Sequence, residues 1–480
     1  MSASFFFYDL ETSGINPRSS RIMQFAGQRT DLYLKPIGEP ENLFIKLSPD
    51  ILPDPDAILL TGITPQMTMQ DGLAEAEFAK YFIDEIATPG TIFVGYNTVR
   101  FDDEFMRNLL YRNFHDAYEW QWQDGKSRWD LLDVVRMTRA LRPEGVEWPF
   151  DAQGKPTNRL ELLTALNKLS HEHAHDALSD VYATIEVARL IRNKQERLFE
   201  YLLQLRNKNK VAELVDGNQP FVYTSGRYPG QFEKTTIAVK LCENPKQKGC
   251  PLVYDLRFDP EKYLELSAEQ LAEKWRYKKG SDEPRLPVKK LQYNKCPAVA
   301  PLQVLDAKSA ARLQISQQTT QQNHKKLISN PSFAQNVSKA YELLDKQFQG
   351  TLFADERHVD GQLYDGFIGN HDKQVMSVVR AAATDDLSQL IDDFEDERLK
   401  KLLPLYKARN FPRQLTGEER TAWDVFCKGQ LLGGGDKSRM AQFLRRLQDI
   451  AAHGNLTEHQ QYILEELKLY AESIMPEPEY

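Results

Sequence analysis

The chain has 480 residues, is 41% hydrophobic and 27% charged, and carries a formal net charge of −8. At roughly 100–200 residues per domain that length predicts two to four domains, in a composition typical of soluble globular proteins. No apolar run approaches the ~18–20 residues that span a bilayer, and Cys242, Cys250, Cys296 and Cys427 form no C-x-x-C pair, so a membrane protein, a disulfide framework and a zinc finger are set aside and a reducing cytoplasm is expected.

The first ten residues hold the apolar run Phe5, Phe6, Phe7 and Tyr8 but no basic leader and no small-residue cleavage site. A buried strand is expected there rather than a signal peptide. Up to residue 192, strands are predicted over 5–10, 22–30, 44–47 and 91–95, and helices over 74–86, 103–112, 131–141, 159–167 and 177–191. That mixture predicts an α/β domain with a mixed central sheet. Residues 193–210 read as a charged connection or helix. Short strands follow over 221–224, 235–241, 252–256 and 288–293, punctuated by Gly226, Gly230, Pro245 and Pro251. They predict a small β-barrel or sandwich, with helices near 309–315 and 333–348. From about residue 353 the pattern is amphipathic helix, as in 440–452 and 458–474. The predicted domains are therefore 1–192, 196–350 and 353–480. Acid is concentrated late, at Asp385, Asp386 and 392–397, while base clusters at 206–210 and 274–279. This predicts a basic groove inside an acidic envelope.

Three short segments carry chemistry. In Phe5-Phe6-Phe7-Tyr8-Asp9-Leu10-Glu11-Thr12-Ser13-Gly14 an apolar strand ends in two carboxylates two residues apart. Period-2 alternation puts Asp9 and Glu11 on one face, where like charges are costly unless a cation neutralises them. In the second, a predicted strand ending at Gly95 is followed by Asn97 and by Phe101-Asp102-Asp103-Glu104. Taken alone, that acid reads as helix capping by Asp102 with Asp103 and Glu104 on the dipole. In the third, His175-Asp176-Ala177-Leu178-Ser179-Asp180 opens a helix apolar on two stripes. Asp176 is the expected N-cap, and Asp180 is an acid in a largely buried helix that wants a partner charge. His175 sits in a loop where an imidazole can titrate. His171 and His173 are expected to be surface histidines, the alternative being a His171/His173/His175 metal cluster.

The ordered set Asp9, Glu11, Asp102, His175 and Asp180 resembles the motifs of the DEDD exonuclease superfamily in its histidine branch. The spelling is closer still to the bacterial exonuclease I family, in 97–104, 127–134, 140–145, 294–297 and 408–412. That resemblance implies a ribonuclease H-like exonuclease domain with a mixed sheet, then a small SH3-like β-barrel domain and a mostly helical C-terminal domain. It implies 3′ to 5′ degradation of single-stranded DNA to 5′-mononucleotides, in DNA repair and recombination, by two Mg²⁺ ions with Mn²⁺ as a substitute. Asp9, Glu11, Asp180 and Asp102 are then the metal ligands, and His175 is the general base. Asp102 is preferred to Asp103 by family spacing alone. Glu11 is also expected to touch the terminal 3′-OH.

For the DNA strand, base and aromatic surface is needed. Tyr118 and Trp122 in an expected loop, Arg107, Arg136 and Arg159, and Lys289 and Asn294 in the middle domain are the candidate contacts. The segment 60–64 resembles one that packs beside the terminal nucleotide, and reads equally well as a turn capped by Thr64. The family further implies a protein partner, the C-terminal tail of the single-stranded DNA-binding protein, with Arg142, Tyr201, Arg206 and Lys208 as its expected surface. The competing view is that Tyr201 simply packs a domain junction. No membrane partner is expected, and a monomer is. Two other functions remain on sequence grounds: a proofreading exonuclease or oligoribonuclease, disfavoured by residues 200–480, and a non-catalytic scaffold, disfavoured by the complete acid and base set.

Overall fold

A computed structural model describes residues 3–171, 176–276, 284–349 and 358–475. Strand β1 (Ser4–Thr12) buries Phe5, Phe6, Phe7, Tyr8 and Leu10. A strand apolar on both faces belongs in the middle of a covered sheet, and β1 is the central strand of the order β3–β2–β1–β4–β5. Strands β2 (Ile22–Thr30) and β3 (Glu41–Phe44) run antiparallel to their neighbours, and β4 (Thr91–Gly95) and β5 (Ser127–Asp130) run parallel. The mixed sheet is as the sequence predicts.

Seven helices accompany it: α1 (Pro55–Thr61), α2 (Pro65–Asp71), α3 (Glu75–Tyr81), α4 (Asp102–Arg112), α5 (Leu131–Leu141), α6 (Leu160–Leu166) and α7 (Ala177–Lys194). On one sheet face Phe6, Tyr8, Phe25 and Phe93 pack on Phe78, Phe105 and Trp120. On the other, Phe5, Phe7 and Val94 pack on Trp129, Val181 and Ile185.

Local differences from the predicted elements have physical reasons. The strand expected over 44–47 is Glu41–Phe44, because Ile45 leaves the sheet to bridge Leu73. The helix expected over 74–86 stops at Tyr81 and continues as one wide turn, closed by the Ala87 N–H on the Phe82 carbonyl, a π-type bulge. Strand β5 was not foreseen, since a four-residue run containing Arg128 and Asp130 has no apolar signature.

Helices α8 (Glu196–Gln204) and α9 (Lys208–Val215) lead into a second, antiparallel sheet. Its strands are β6 (Phe221–Thr224), β7 (Thr235–Cys242), β8 (Leu252–Asp255), β9 (Val288–Lys290) and β10 (Ala298–Pro301), in the order β10–β6–β7–β8–β9. Edge strand β10, preceded by Pro297 and ending in Pro301, escaped the sequence reading because proline weakens a strand signal. The helix Pro331–Gln349 packs on this sheet through Phe333 against Tyr254.

The last segment is helical, including Asn370–Ala381, Glu397–Asn410, Gly417–Leu432, Arg439–His453 and Glu458–Ser473. It folds back onto the first sheet's helices. Tyr111 and Phe114 of the first region join Val359, Leu399 and Tyr406 in one core. Met23, Ile58 and Ile63 join Phe443, Ile463 and Leu467 in another. Between these two regions lies a buried quartet of charges. Asp360 pairs with Arg21 at 2.5 Å and Arg409 at 2.8 Å, and Arg409 pairs with Asp50 at 2.7 Å. Among the described residues no helix is long and apolar enough to cross a membrane.

Candidate active site

Asp9 and Glu11 sit near the carboxyl end of β1 and are partly buried, while Leu10 between them turns into the core. A bulge between Glu11 and Thr12 ends the regular register with β2. Asp180 comes from the first turn of α7, and Asp176 caps that helix by accepting from the Ser179 N–H at 3.1 Å. The three acids converge: one ligand atom each from Asp9, Glu11 and Asp180 lie within 4.8 Å of one another.

Asp102 reaches the same place by a braced loop. Gly95 ends β4 where any Cβ would overlap Thr98 and approach the Tyr8 carbonyl. Asn97 then takes a left-handed conformation, and the Asp130 carboxylate accepts the N–H groups of Asn97 at 3.1 Å and Val99 at 3.3 Å. This hands the chain to α4, whose first three residues are Asp102, Asp103 and Glu104. Asp102 is the first helical residue, with Phe101 at the cap position, so it does not cap the helix as the segment alone suggests.

The three consecutive acids have separate fates. Asp103 is bound by the Arg128 guanidinium and accepts from the Tyr8 hydroxyl at 2.5 Å. Glu104 pairs with Arg107 at 2.8 Å and Lys295 at 3.1 Å and accepts from the Tyr364 hydroxyl. Asp102 is buried and carries no ion pair among the described contacts. Burial lifts its carboxyl to about 8, with the charge of Asp103 adding to the effect. Burial likewise lifts Glu11 to about 8, helped by Asp180 and Asp102, and raises Asp9 well above the usual range. Asp103 is thus occupied by Arg128 and Tyr8, whereas Asp102, the residue that family spacing prefers, is not.

Mutually repelling carboxylates held at one strand end need either protons or cations. The donors are all oxygen, which suits a hard divalent ion, so these residues fit a metal centre. Without metal, the native state retains protons that the unfolded chain releases between its ordinary Glu value of 4.5 and about 8. Stability should therefore fall as pH rises through that window. In chelator the melting temperature is expected to be lower at pH 8.5 than at pH 6, and added divalent cation should narrow the gap. A melting temperature that rises with pH in chelator would remove the case for repulsion here.

His175 and His173 lie outside the described residues. His171, expected at the surface, has a side chain only 4% exposed: its ring lies between Asp180 and Thr164. Its sequence neighbourhood of alternating histidines gave no sign of that packing.

A cleft of about 1140 Å³ runs beside this centre between all three regions of the chain. The carboxylates themselves do not line it, but Glu104, from the turn that carries Asp102, does. Its walls take Arg107, Tyr118, Trp122 and Asn294 among the foreseen contacts, with Lys126, Arg206, Lys208, Lys295, Tyr364 and Phe367 added. Trp122 is 63% exposed and Phe367 fully so. Trp120 between the outward aromatics is core, stacked edge-on to Phe93. Three foreseen contacts lie outside the cleft's lining. Arg136 is paired with Asp133 at 2.8 Å, Arg159 is exposed and paired with Glu161, and Lys289 lies over the Tyr228 ring. Arg142 donates to the Val304 carbonyl at 2.9 Å, and the Tyr201 hydroxyl donates to the Val299 carbonyl at 3.1 Å, so both also serve the domain junction. At 60–64 the turn geometry is plain: Gly62 ends α1 in a left-handed conformation and Thr64 caps α2.

Three family models match the chain in succession: Exonuclease over residues 6–188, Exonuclease I SH3-like domain over 206–343, and Exonuclease I C-terminal domain over 357–474. Exodeoxyribonuclease I of Haemophilus influenzae is 40% identical over 434 residues, covering 89% of this chain and 90% of that one. The Escherichia coli enzyme of the same name is 40% identical over 447 residues, covering 91% and 93%. This chain belongs to the exonuclease I family. A crystal structure of E. coli exonuclease I in complex with a dA16 oligonucleotide superposes with a TM-score of 0.93 at 38% identity, covering 98% of this chain and 100% of that one. A zinc-bound E. coli exonuclease I–single-stranded DNA complex gives 0.92 at 38% identity, covering 99% and 100%. A structure of SSB/exonuclease I with an inhibitor gives 0.89 at 37% identity, covering 99% and 100%. The second and third family models are both of exonuclease I domains. They account for the antiparallel sheet as an SH3-like domain and for the helical C-terminal part.

Proposed function

We infer that this chain is a divalent-metal-dependent exodeoxyribonuclease that degrades single-stranded DNA from its 3′ end and releases 5′-mononucleotides. The observation that carries the reading is the convergence of Asp9, Glu11 and Asp180 within 4.8 Å on a chain 40% identical to exodeoxyribonuclease I over nine-tenths of its length. Residues 1–192 would form the exonuclease domain, 196–350 the SH3-like domain and 353–480 the helical domain.

Magnesium is the proposed ion, since carboxylate oxygens are its preferred protein ligands. When bound, the ions supply charge neutralisation and polarisation of the scissile phosphate. Asp9, Glu11 and Asp180 hold them, with Asp102 completing the set. Arg128 and Tyr8, by engaging Asp103, leave Asp102 as the carboxylate of that helix turn facing the other acids. His175 takes the proton of the attacking water as the water–phosphorus bond forms, and the 3′ oxygen leaves with a proton from solvent. Glu11 is placed to meet the terminal 3′-OH in this reading, which favours chain ends.

The strand itself would lie along the cleft, where exposed rings alternate with cations. Stacking on one base is worth ~1–3 kcal/mol. Trp122→Ala and Phe367→Ala should each weaken binding of a labelled single strand by that amount, read by fluorescence anisotropy in chelator; unchanged affinity in both would move the strand elsewhere. The single-stranded DNA-binding protein is the proposed protein partner. Arg142 and Tyr201 are candidates for its tail, a basic side chain beside a ring suiting an acidic, apolar-ended peptide.

The deciding experiment is digestion of 5′-labelled single-stranded DNA, duplex DNA and RNA side by side, with Mg²⁺ and then chelator. Stepwise shortening of the single strand from its 3′ end, abolished by chelator, is expected. Cutting of circular single strands, or rapid digestion of blunt duplex, would overturn the reading.

A further inference from the structure

We propose that His171 is a positioning residue that fixes the Asp180 carboxylate in the orientation the acidic centre requires. The inference rests on the reading of Asp180 as a metal ligand. His171 is 4% exposed at its side chain, and its Nε2 lies 2.6 Å from Asp180 Oδ1. Its Nδ1 lies 3.0 Å from the Thr164 hydroxyl. Thr164 is fully buried in α6, with its hydroxyl 2.9 Å from the Leu160 carbonyl. The ring therefore spans from α6 to the first turn of α7. If the Thr164 hydroxyl donates to Nδ1, the neutral ring carries its hydrogen on Nε2. If that hydroxyl donates to Leu160 instead, Nδ1 donates to it and a hydrogen lies between Nε2 and the Asp180 carboxyl. In both arrangements a hydrogen bond joins Nε2 to Asp180.

Asp180 needs such a donor. The charges of Asp9 and Glu11 act against it across a few ångströms, and a carboxylate so repelled turns toward whatever N–H is nearest. His171 supplies one that holds Asp180 within 4.8 Å of both acids rather than away from them. A carboxylate has two oxygens, and fixing Oδ1 selects one rotamer and so sets where the other points. Hydrogen bonds of this kind to ligating carboxylates raise metal affinity by orienting the ligand, and their loss costs ~10–100-fold.

The test is Mn²⁺ binding to the full chain without DNA, followed by electron paramagnetic resonance, for wild type, Asp180→Ala, His171→Ala and His171→Gln. His171→Ala should weaken Mn²⁺ by ~10–100-fold and keep its single-strand affinity in chelator, while truncation of a ring bonded at both nitrogens lowers the melting temperature. Its cleavage rate should return toward wild type as metal is raised, so that the defect lies in the metal requirement rather than in kcat. His171→Gln, which restores an N–H donor of similar reach, should recover most of the affinity. Wild-type Mn²⁺ affinity in His171→Ala overturns the proposal. So does a loss that His171→Gln fails to repair, the mark of a packing residue only. Asp180→Ala separates the two levels: retention of the ion there refutes the metal centre itself, whatever His171 does.

Discussion

Asp9→Ala and Asp180→Ala are expected to abolish hydrolysis while leaving a folded chain that still binds single-stranded DNA. Both side chains face other carboxylates rather than the apolar core, so neither removal opens a cavity. Removing one member of a repelling set relieves the fold, so Asp9→Ala should melt at or above the wild-type temperature in chelator, whereas Asp180→Ala also gives up its contact with His171. Activity should fall on the order of 10³–10⁵-fold, the several kcal/mol that a bound cation gives a phosphoryl transition state. His175→Ala belongs to the same experiment and should lose less, ~10²–10⁴-fold, the scale of a general base, with metal affinity little changed. Wild-type turnover in Asp9→Ala would end the metal assignment. Loss of metal binding in His175→Ala would make that histidine a ligand and put the base elsewhere.

Asp360→Ala should be the most destabilising single change in the charged interior. Asp360 is buried beneath two arginines, Arg21 at 2.5 Å and Arg409 at 2.8 Å. Burial alone would raise its carboxyl, yet Arg409 and Arg21 hold it well below the usual range. Burial also lowers Arg21 to about 10, so this guanidinium already bears a desolvation cost that its partner offsets. Truncating one partner of a buried pair leaves an uncompensated charge, at ~3–5 kcal/mol. Urea unfolding and proteolysis of Asp360→Ala should show early release of the helical C-terminal part. A depressed carboxyl contributes its stability above the ordinary Asp value and loses it as pH falls through the depressed one. Wild type should hence lose this contact only in strong acid. An unchanged urea midpoint for Asp360→Ala would show that water reaches the quartet.

Much of this was legible in the sequence because apolar periodicity and acid spacing are local. Phe5 to Leu10 announced a central strand, and Asp9 with Glu11 two residues apart announced a shared face. The helix of Asp180 could be placed to within a few residues from its two stripes. What escaped depends on partners distant in the chain. Arg128 binds Asp103 from a strand too short and polar to be noticed. His171 looked like one of two surface histidines, since nothing near it reveals Thr164 or the first turn of α7. Phe367, fully exposed beside the cleft, sits in a stretch read only as helical. Arg136 looked like a contact for the DNA strand, yet it is a strut to Asp133, as Arg139 is to Glu233. Charge in a helix says how much, and only the fold says toward what.

The mixed cores bear on how this chain can be cut or recombined. Met23, Ile58, Ile63, Tyr111 and Phe114 all belong to the first region, and all are completed by residues beyond 358. Severed near residue 195, the nuclease sheet would turn those side chains toward water, along with Arg21 and Asp50. Exposed apolar patches of that kind drive aggregation. The catalytic fold in this chain is consequently not a cassette that gene fusion could lift out and graft onto another binding module. Its C-terminal helices are part of its own interior, and the unit of inheritance is the whole polypeptide.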